Sequence, residues 1–542
     1  MIALSQGVVV SRAAKPDEDS VYSQYYDYRE PAAKIAGHRV LAIDRGEREE
    51  FLKVSLELDQ DKAMNIVNSV ALKGPSPCYE AVSEAAQDAY TRLIFPSVER
   101  ELRSTLSENA QEAAIKVFSV NLRNLLMQPP VKGKVAMGLD PGYRTGCKVA
   151  VVDATGRVLD TGVIYPTHSQ SRVQEAKALV SRMIQKYQVE VIAIGNGTAS
   201  KETEMFTAEV LSNLPQQDKE RCAYMVVSEA GASVYSASKL AAEEFPQFDL
   251  TLRSAVSIAR RLQDPLAELV KIDPKAIGVG QYQHDMPKKR LDEALGGVVE
   301  DCVNNVGVDL NTASPSLLER ISGLSAAVSK NIVKYREENG AFTSRNELKK
   351  VNKLGPKAFV QCAGFLRVPE SKNVLDNTGV HPESYGAAKE LLKLCGFGED
   401  DVKNGSLSGL ADKVAALGEE SVAQQIGVGV PTLQDIVKEL LKPGRDPRDE
   451  LPPPLLRTDI LELKDLKPGM ELTGTVRNVI DFGAFVDIGV HQDGLVHISQ
   501  ICNKYIKHPS EVLKVGDIVK VWVLNADPVK KRIGLTMKEP KQ

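Results

Sequence analysis

The spacing of apolar and polar positions changes several times along the chain, and each change marks a segment. Residues 1–131 carry apolar and charged residues at helical spacing, as in "AVSEAAQDAYTRLIFPSVERELRSTLSENAQEAAIKVFSVNLRNLLMQPP", which halts at Pro129-Pro130. This segment is expected to be mostly helix, with its charges on a solvated face. From about 132 the period shortens. "KVAMGLD", "CKVAVVD" and "RVLDTGVIYP" read as three strands, the last two joined by a turn from Asp153 to Gly156. An amphipathic helix over 171–187, strands "VEVIAIG" and "AYMVVSE", and helices over 233–243 and 254–270 complete the segment 132–275.

Three consecutive strands, a helix, then single strands alternating with helices is an α/β layering of ribonuclease H-like type. Residues 276–370 read as tandem helical hairpins, because "LLERISGLSAAVSKNIVKY" and "ELKKVNKLGPKAFVQCAGF" are two versions of one phrase. Ser314-Pro315 predicts a cap followed by proline at the first helical position, and Ser344 with Glu347 predicts a capping box. Residues 371–441 continue as a second helical hairpin domain. The proline-rich "KPGRDPRDELPPPLL" makes 442–460 a linker. Residues 461–542 switch to short strands punctuated by Gly and Asp, the pattern of a small closed barrel. The fold class expected is multidomain and mainly α, with one α/β domain and a C-terminal β-barrel.

Composition narrows what such a chain does. At 542 residues it is too long for one core and suggests roughly three to five domains. A formal net charge of -4 places any nucleic-acid binding in local modules, since a uniformly coated chain would be basic. The seven cysteines stand singly with no CxxC pair, which argues against a zinc site or a disulfide framework and fits a reducing cytosol. The seven histidines form no metal-spaced set. "GNGTAS" is glycine-rich but lacks the Walker lysine-serine ending, so no nucleotide cofactor is expected. Cys147 has no evident His partner and reads as a small buried residue. No apolar run approaches the ~18 residues of a membrane span, and no basic leader precedes the first apolar stretch, so the expected location is the cytoplasm.

The motifs "TGTVRNVIDFGAFVDIG" and "DGLVHISQI" resemble the S1 domain, an RNA-binding OB fold. "GLDPGYRTGCKVAVVD", "AIGNGTASKE", "SEAGASVYSASKLA", "SIARRLQDPLAELVKIDPKAIGVGQYQHD" and "DCVNNVGVDLNTAS" extend the likeness. Together they resemble the Tex family of bacterial transcription accessory proteins, from about residue 21 to the end. The resemblance implies a helical central region, a YqgF ribonuclease H-like domain, helix-hairpin-helix domains and an S1 domain. The family's further N-terminal helical domain has no counterpart here, which implies a short form or a truncated chain. The layout is also similar to that of a eukaryotic elongation factor that rides with RNA polymerase.

Nucleases of the ribonuclease H fold cluster three or four carboxylates to hold Mg²⁺. Asp140 stands on the first strand of that domain, and Glu229 matches an acidic position of the YqgF family. Where Holliday-junction resolvases of this fold place glutamate the chain has Asn196, and where the last acid should open the final helix it has Arg253-Ser254. A cation at that point would oppose Mg²⁺. Asp249 and Asp264 flank the helix but are poorly spaced, and Asp140 has the alternative role of capping its own glycine turn. No catalytic residue is therefore assigned, Asp140 and Glu229 being vestigial candidates, and no metal is expected. A metal-dependent, structure-selective nuclease is the alternative.

By resemblance to S1 domains, Phe482, Phe485 and His497 form a ring platform on which bases stack at ~1–3 kcal/mol each. The competing reading puts one Phe in the barrel core. Asp527 and Arg532 match family positions in the last hairpin, where Arg pairs with phosphate. Lys504, Lys530 and Lys531 add charge or are ordinary surface. In the hairpins, Gly323 and Gly355 lie in turns whose backbone N–H groups point at phosphate, flanked in the second turn by Lys353 and Lys357. The usual turn has two glycines around an apolar residue, and each turn here keeps one, so a packing hinge is the rival role. The expected partners are single-stranded RNA, with DNA as a second target, and RNA polymerase or other transcription proteins. The chain is expected to be a monomer. A scaffold that binds polymerase through its helices, with RNA secondary, is a third reading.

Overall fold

The computed structural model describes the chain except for residues 1, 75, 281, 442–443, 445, 452–453, 455, 458–465, 481, 491–492, 507, 515, 528–531 and 540–542. The chain divides into two compact units, Met1–Asn121 with Val279–Leu295, and Leu122–Gly278 with Gly296–Gln542.

The first unit is mostly helical, as expected, but also holds a sheet that the pattern did not predict. Beside helices Gly37–Arg48, Gln60–Ala71, Tyr79–Ala89 and most of Phe95–Leu126 it holds an antiparallel sheet. Its strands are β1 (Val8–Ala13), β2 (Asp27–Pro31) and β3 (Leu52–Glu57), in the order β2-β1-β3. They are five or six residues long with charged outer positions, so their period-2 signal is weak. The segment 279–295, expected to open the hairpins, belongs here instead. A Cβ on Gly280 would lie 2.1 Å from the Phe118 ring, so only glycine fits there. Asp285 accepts from Arg45 Nε at 2.9 Å and also pairs with Arg48.

In the second unit the α/β expectation holds. Strands β4 (Ala136–Asp140), β5 (Cys147–Val152), β6 (Val158–Ile164), β7 (Val191–Gly195) and β8 (Ala223–Val227) form one sheet in the order β6-β5-β4-β7-β8. The first three run antiparallel, while β7 and β8 run parallel to β4. Helix Gln170–Tyr187 buries Val180, Met183 and Ile184 against one face, and helix Leu250–Gln263 buries Ala255, Val256, Ile258, Ala259 and Leu262 against the other. Cys147 is fully buried, as expected. The helix expected over 254–270 breaks at Asp264, because the residue before Pro265 avoids helical geometry. That over 233–243 is two short helices, Ala232–Ser236 and Lys239–Glu244.

In the hairpins Ser314 caps as expected, accepting from Leu317 N. The capping box at Ser344 is not made. Glu347 instead accepts from Thr343 N at 3.0 Å, inside a 3-10 helix, Arg345–Lys350. Strands β9 (Val308–Asp309) and β10 (Leu366–Arg367) pair in parallel and close the tandem unit. Buried Arg345 donates to Leu366 O at 2.5 Å, Val380 O at 2.8 Å and Tyr385 Oη at 2.8 Å, joining these hairpins to the next helical domain.

The linker is not a free tether. Buried Arg448 donates to Asp446 and to Asp264 of the ribonuclease H-like domain, the latter at 2.7 Å. The C-terminal strands β11 (Glu471–Ile480), β12 (Gly483–Asp487), β13 (Gly494–His497), β14 (Ile518–Asp527) and β15 (Arg532–Thr536) form a closed barrel. Among the described residues no helix is long and apolar enough to cross a membrane.

Candidate nucleic-acid interface

The strand-end site is set by how closely a helix crosses β4. A Cβ on Gly138 would lie 2.2 Å from Ala255 O, so glycine permits the crossing. Ser254, one residue before Ala255, is thereby brought beside the Asp140 carboxylate and favours its ionised form. Arg253, expected as the opposing cation, turns away and donates to Phe245 O at 3.1 Å and Ser236 O at 3.3 Å. Other cations lie near the two acids. Lys148, opposite Asp140 in the β4–β5 register, is 6% exposed and donates to Thr145 O and Gly146 O. Arg261 is 4% exposed and donates to Ser228 O and Ala230 O at 2.9 and 2.8 Å.

Glu229 lies in the turn after β8 rather than on the strand. Its N–H donates to Asn196 Oδ1 at 3.0 Å, and its carboxylate folds over the turn after β7. A Cβ on Gly197 would sit 1.7 Å from Glu229 Oε1, and one on Gly195 2.7 Å from Oε2. Burial raises the Asp140 carboxyl above its ordinary range, partly offset by Ser254 and Lys148. Burial raises Glu229 as well, and the Asp140 charge adds to it. Burial lowers Arg261 to about 10.

Neither spare acid joins them. Asp249 caps the 250–263 helix through Leu252 N, and Asp264 is engaged by Arg448. Among the described residues no cluster of three or more His, Cys, Asp or Glu is placed to hold a metal. Asp140 and Glu229 are two carboxylates where the Mg²⁺ cages of this fold use three or four, and the charges of Lys148 and Arg261 act on them.

The barrel presents its residues outward. Ala484 and Val486 are buried, so Gly483, Phe485 and Asp487 alternate to the outer face of β12. Gly483 is opposite His497 and Phe485 opposite Leu495, which places Phe485 and His497 as diagonal neighbours on that face. Leu495 is beside Gly534, Gly534 beside Asn525, and Asp527 directly opposite Arg532. The register thus runs one outer surface from Phe485 to the Asp527–Arg532 pair. Its middle has no side chain at Gly534 and is covered by Asn525, whose Oδ1 accepts from Gly534 N at 3.0 Å. Phe482, just before β12, is 53% exposed, and neither Phe belongs to the barrel core. His497 is exposed, with Nδ1 2.9 Å from Ser499 Oγ. Lys504 is exposed in the loop after β13, while Lys530 and Lys531 lie outside the described residues.

The two hairpin turns keep complementary glycines. Gly323 has φ +83° and Lys353, its counterpart, φ +66°, so a lysine holds the left-handed position of the second turn. Gly355 in turn corresponds to Ser325, the cap of helix Ala326–Asn339. The first turn packs closely, since a Cβ on Gly323 would meet Gln361 Cβ at 2.6 Å, which supports the hinge role there. The second is open. A Cβ on Gly355 would touch nothing within 4 Å, and Lys353 and Lys357 are exposed.

The description "Tex central region-like" fits residues 3–118, "Tex protein YqgF-like domain" 134–263, "Helix-hairpin-helix motif" 303–367, "HHH domain" 373–448 and "S1 RNA binding domain" 465–538. The chain is 54% identical over 536 residues to "Uncharacterized protein YdcI" of Bacillus subtilis, covering 98% of this chain and 74% of that one. It is 48% identical over 530 residues to "Transcriptional accessory protein Tex" of Neisseria gonorrhoeae, covering 97% and 68%. The chain belongs to the Tex family.

Within this Tex chain, sequence reading overlooked several residues beside the site. Arg261 and Lys148 look like ordinary helix and strand cations, and only the packing brings them to Asp140 and Glu229. Gly427-Val428-Gly429 has the two-glycine turn that the first hairpins lack, with Gly427 at φ +71°, and "IGVGVP" carried that signal openly. Glu419, Glu420 and Asp435 lie close to it in sequence and no lysine flanks it, unlike the turn at Lys353. Tyr505, 91% exposed beside Lys504, is the most exposed large aromatic among the described residues.

Proposed function

We propose that this Tex-family chain is a non-enzymatic, cytoplasmic transcription accessory factor that holds single-stranded RNA on the outer face of its S1 barrel. The carrying observation is the continuous outward surface with Phe485, His497, Asp527 and Arg532 in register and Phe482 exposed at its margin. Rings there stack on bases that lie unpaired, which favours single strands and reads little sequence. The open second hairpin turn adds a backbone phosphate contact through Lys353, Gly355 and Lys357, to RNA or DNA. RNA polymerase or another transcription protein is the partner this role calls for.

In this reading the ribonuclease H-like domain is a silent scaffold. Lys148 acts on Asp140 and Arg261 on Glu229, and Ser254 stands where a further acid is expected, which argues against the nuclease alternative. A titration of the chain against single- and double-stranded RNA and DNA at two salt concentrations, with Mg²⁺ present, tests all parts. Tight single-strand binding without product supports the proposal, and Mg²⁺-dependent cleavage abolished by Asp140→Ala would falsify it.

A further inference from the structure

Arg457 of the linker contacts three parts of the second unit at once. Its backbone exchanges both hydrogen bonds with Tyr224, at 2.7 and 2.8 Å, as an isolated antiparallel bridge. Tyr224 lies on β8, the edge of the five-stranded sheet, so the linker covers an edge that would otherwise offer free backbone groups. The Arg457 guanidinium reaches Glu204 of helix Ser200–Ser212 at 3.6 Å and Asp487 of the barrel at 3.2 Å. It also lies against Gly489, where a Cβ would come within 3.2 Å of it.

Asp487 occupies an outward barrel position, two residues from Phe485, yet its side chain is only 13% exposed. Arg457 and Arg477 cover it, and their charges hold its carboxyl below the ordinary range in spite of burial. One end of the ring face is therefore closed by the contact to the ribonuclease H-like domain.

We propose that Arg457 is a latch that docks the S1 barrel on the ribonuclease H-like domain and limits how many nucleotides the ring face holds. Its footprint half rests on the RNA reading above; the docking half does not. Partly buried ion pairs of this kind resist salt better than exposed ones, so the latch keeps the barrel docked in the absence of a competing strand.

The test uses the full chain with Arg457→Glu, and Glu204→Gln as a milder second variant whose fold is checked by its melting curve. Trp522, the single tryptophan, sits on β14 of the barrel, so its time-resolved anisotropy reports the motion of that module alone. Affinities are measured for uridine oligonucleotides of about 4 and about 12 residues, which span the range of one OB fold. The latch predicts a new fast anisotropy component in Arg457→Glu, a weaker one in Glu204→Gln, and about a fivefold or larger gain for the long strand with the short one unchanged. Unchanged anisotropy in Arg457→Glu overturns the latch. Fast motion without a gain for the long strand overturns the footprint limit. Should Phe485→Ala leave short-strand binding intact, the ring-face reading and the footprint limit fall together, while anisotropy still judges the docking.

Discussion

The strand ends of the ribonuclease H-like domain and the outer face of the S1 barrel are both built by β-register, yet they use their polar groups in opposite ways. At the strand ends the ionic groups are mostly taken up by the fold: Asp140 lies near Lys148, Glu229 folds over the Gly195–Gly197 turn, and Arg261 donates to two carbonyls while its Nε and Nη2 stay buried without a hydrogen-bond partner among the described residues. On the barrel the rings of Phe482 and His497 face solvent. The lesson is that a group consumed by packing is withdrawn from ligands, whatever its position in a motif. The two hairpin turns differ in packing as well: a Cβ at Gly323 would meet Gln361, whereas one at Gly355 would meet nothing within 4 Å, and both glycines are exposed.

The largest expected effect is on the barrel. Phe485→Ala should weaken single-stranded RNA binding about 5- to 150-fold while leaving duplex binding nearly unchanged, as read by fluorescence titration. Next comes Gly197→Ala, whose methyl overlaps the Glu229 carboxylate; thermal melting should show a loss of about 1–3 kcal/mol, recovered in part by Glu229→Ala, with RNA affinity unmoved. Weakened RNA binding in that variant would erase the contrast between the two regions. Lys353→Ala should lower affinity evenly across sequences and reduce the salt slope by about 1, if the open turn contacts one phosphate. Gly355 and Lys353 would be mere hinge residues if the slope stayed constant.

The smallest effect is a pH dependence. A carboxyl with its folded pKa raised binds its proton more tightly in the native state, so its ionisation weakens folding as pH rises through the folded value. Asp140→Asn should therefore give a small rise in Tm at neutral pH that vanishes in acid below the ordinary aspartate range. A loss of Tm at neutral pH would mean that the charge is needed where it stands.

Much of this organisation was legible in the chain. The strands of the α/β domain, its order of elements and the closed barrel follow from runs such as "CKVAVVD" and "GAFVDIG", because a buried or half-buried strand repeats every two residues without long-range help. The sheet of the first unit was missed, since five-residue strands such as "DYREP" carry too few apolar positions to announce themselves. The capping box at Ser344 failed because Glu347 had a nearer donor in Thr343. Ring and phosphate candidates on the barrel were named from motif positions, and the register placed Phe485, His497, Asp527 and Arg532 on one surface.

Local pattern by itself determined the layered sheet, the tandem hairpins and the barrel, though not the sheet of the first unit, and it put Asn196 and Arg253-Ser254 where further acids are expected. Tertiary structure alone decided which cations lie near the two remaining acids, that Arg253 turns away while Ser254 comes beside Asp140, that the linker is pinned at Arg448 and Arg457, and how each hairpin turn packs. The reason is physical. Periodicity is a property of neighbours along the chain, whereas charge compensation and access depend on atoms brought together from distant positions by packing, as when Gly138 lets a helix settle on a strand more than a hundred residues before it.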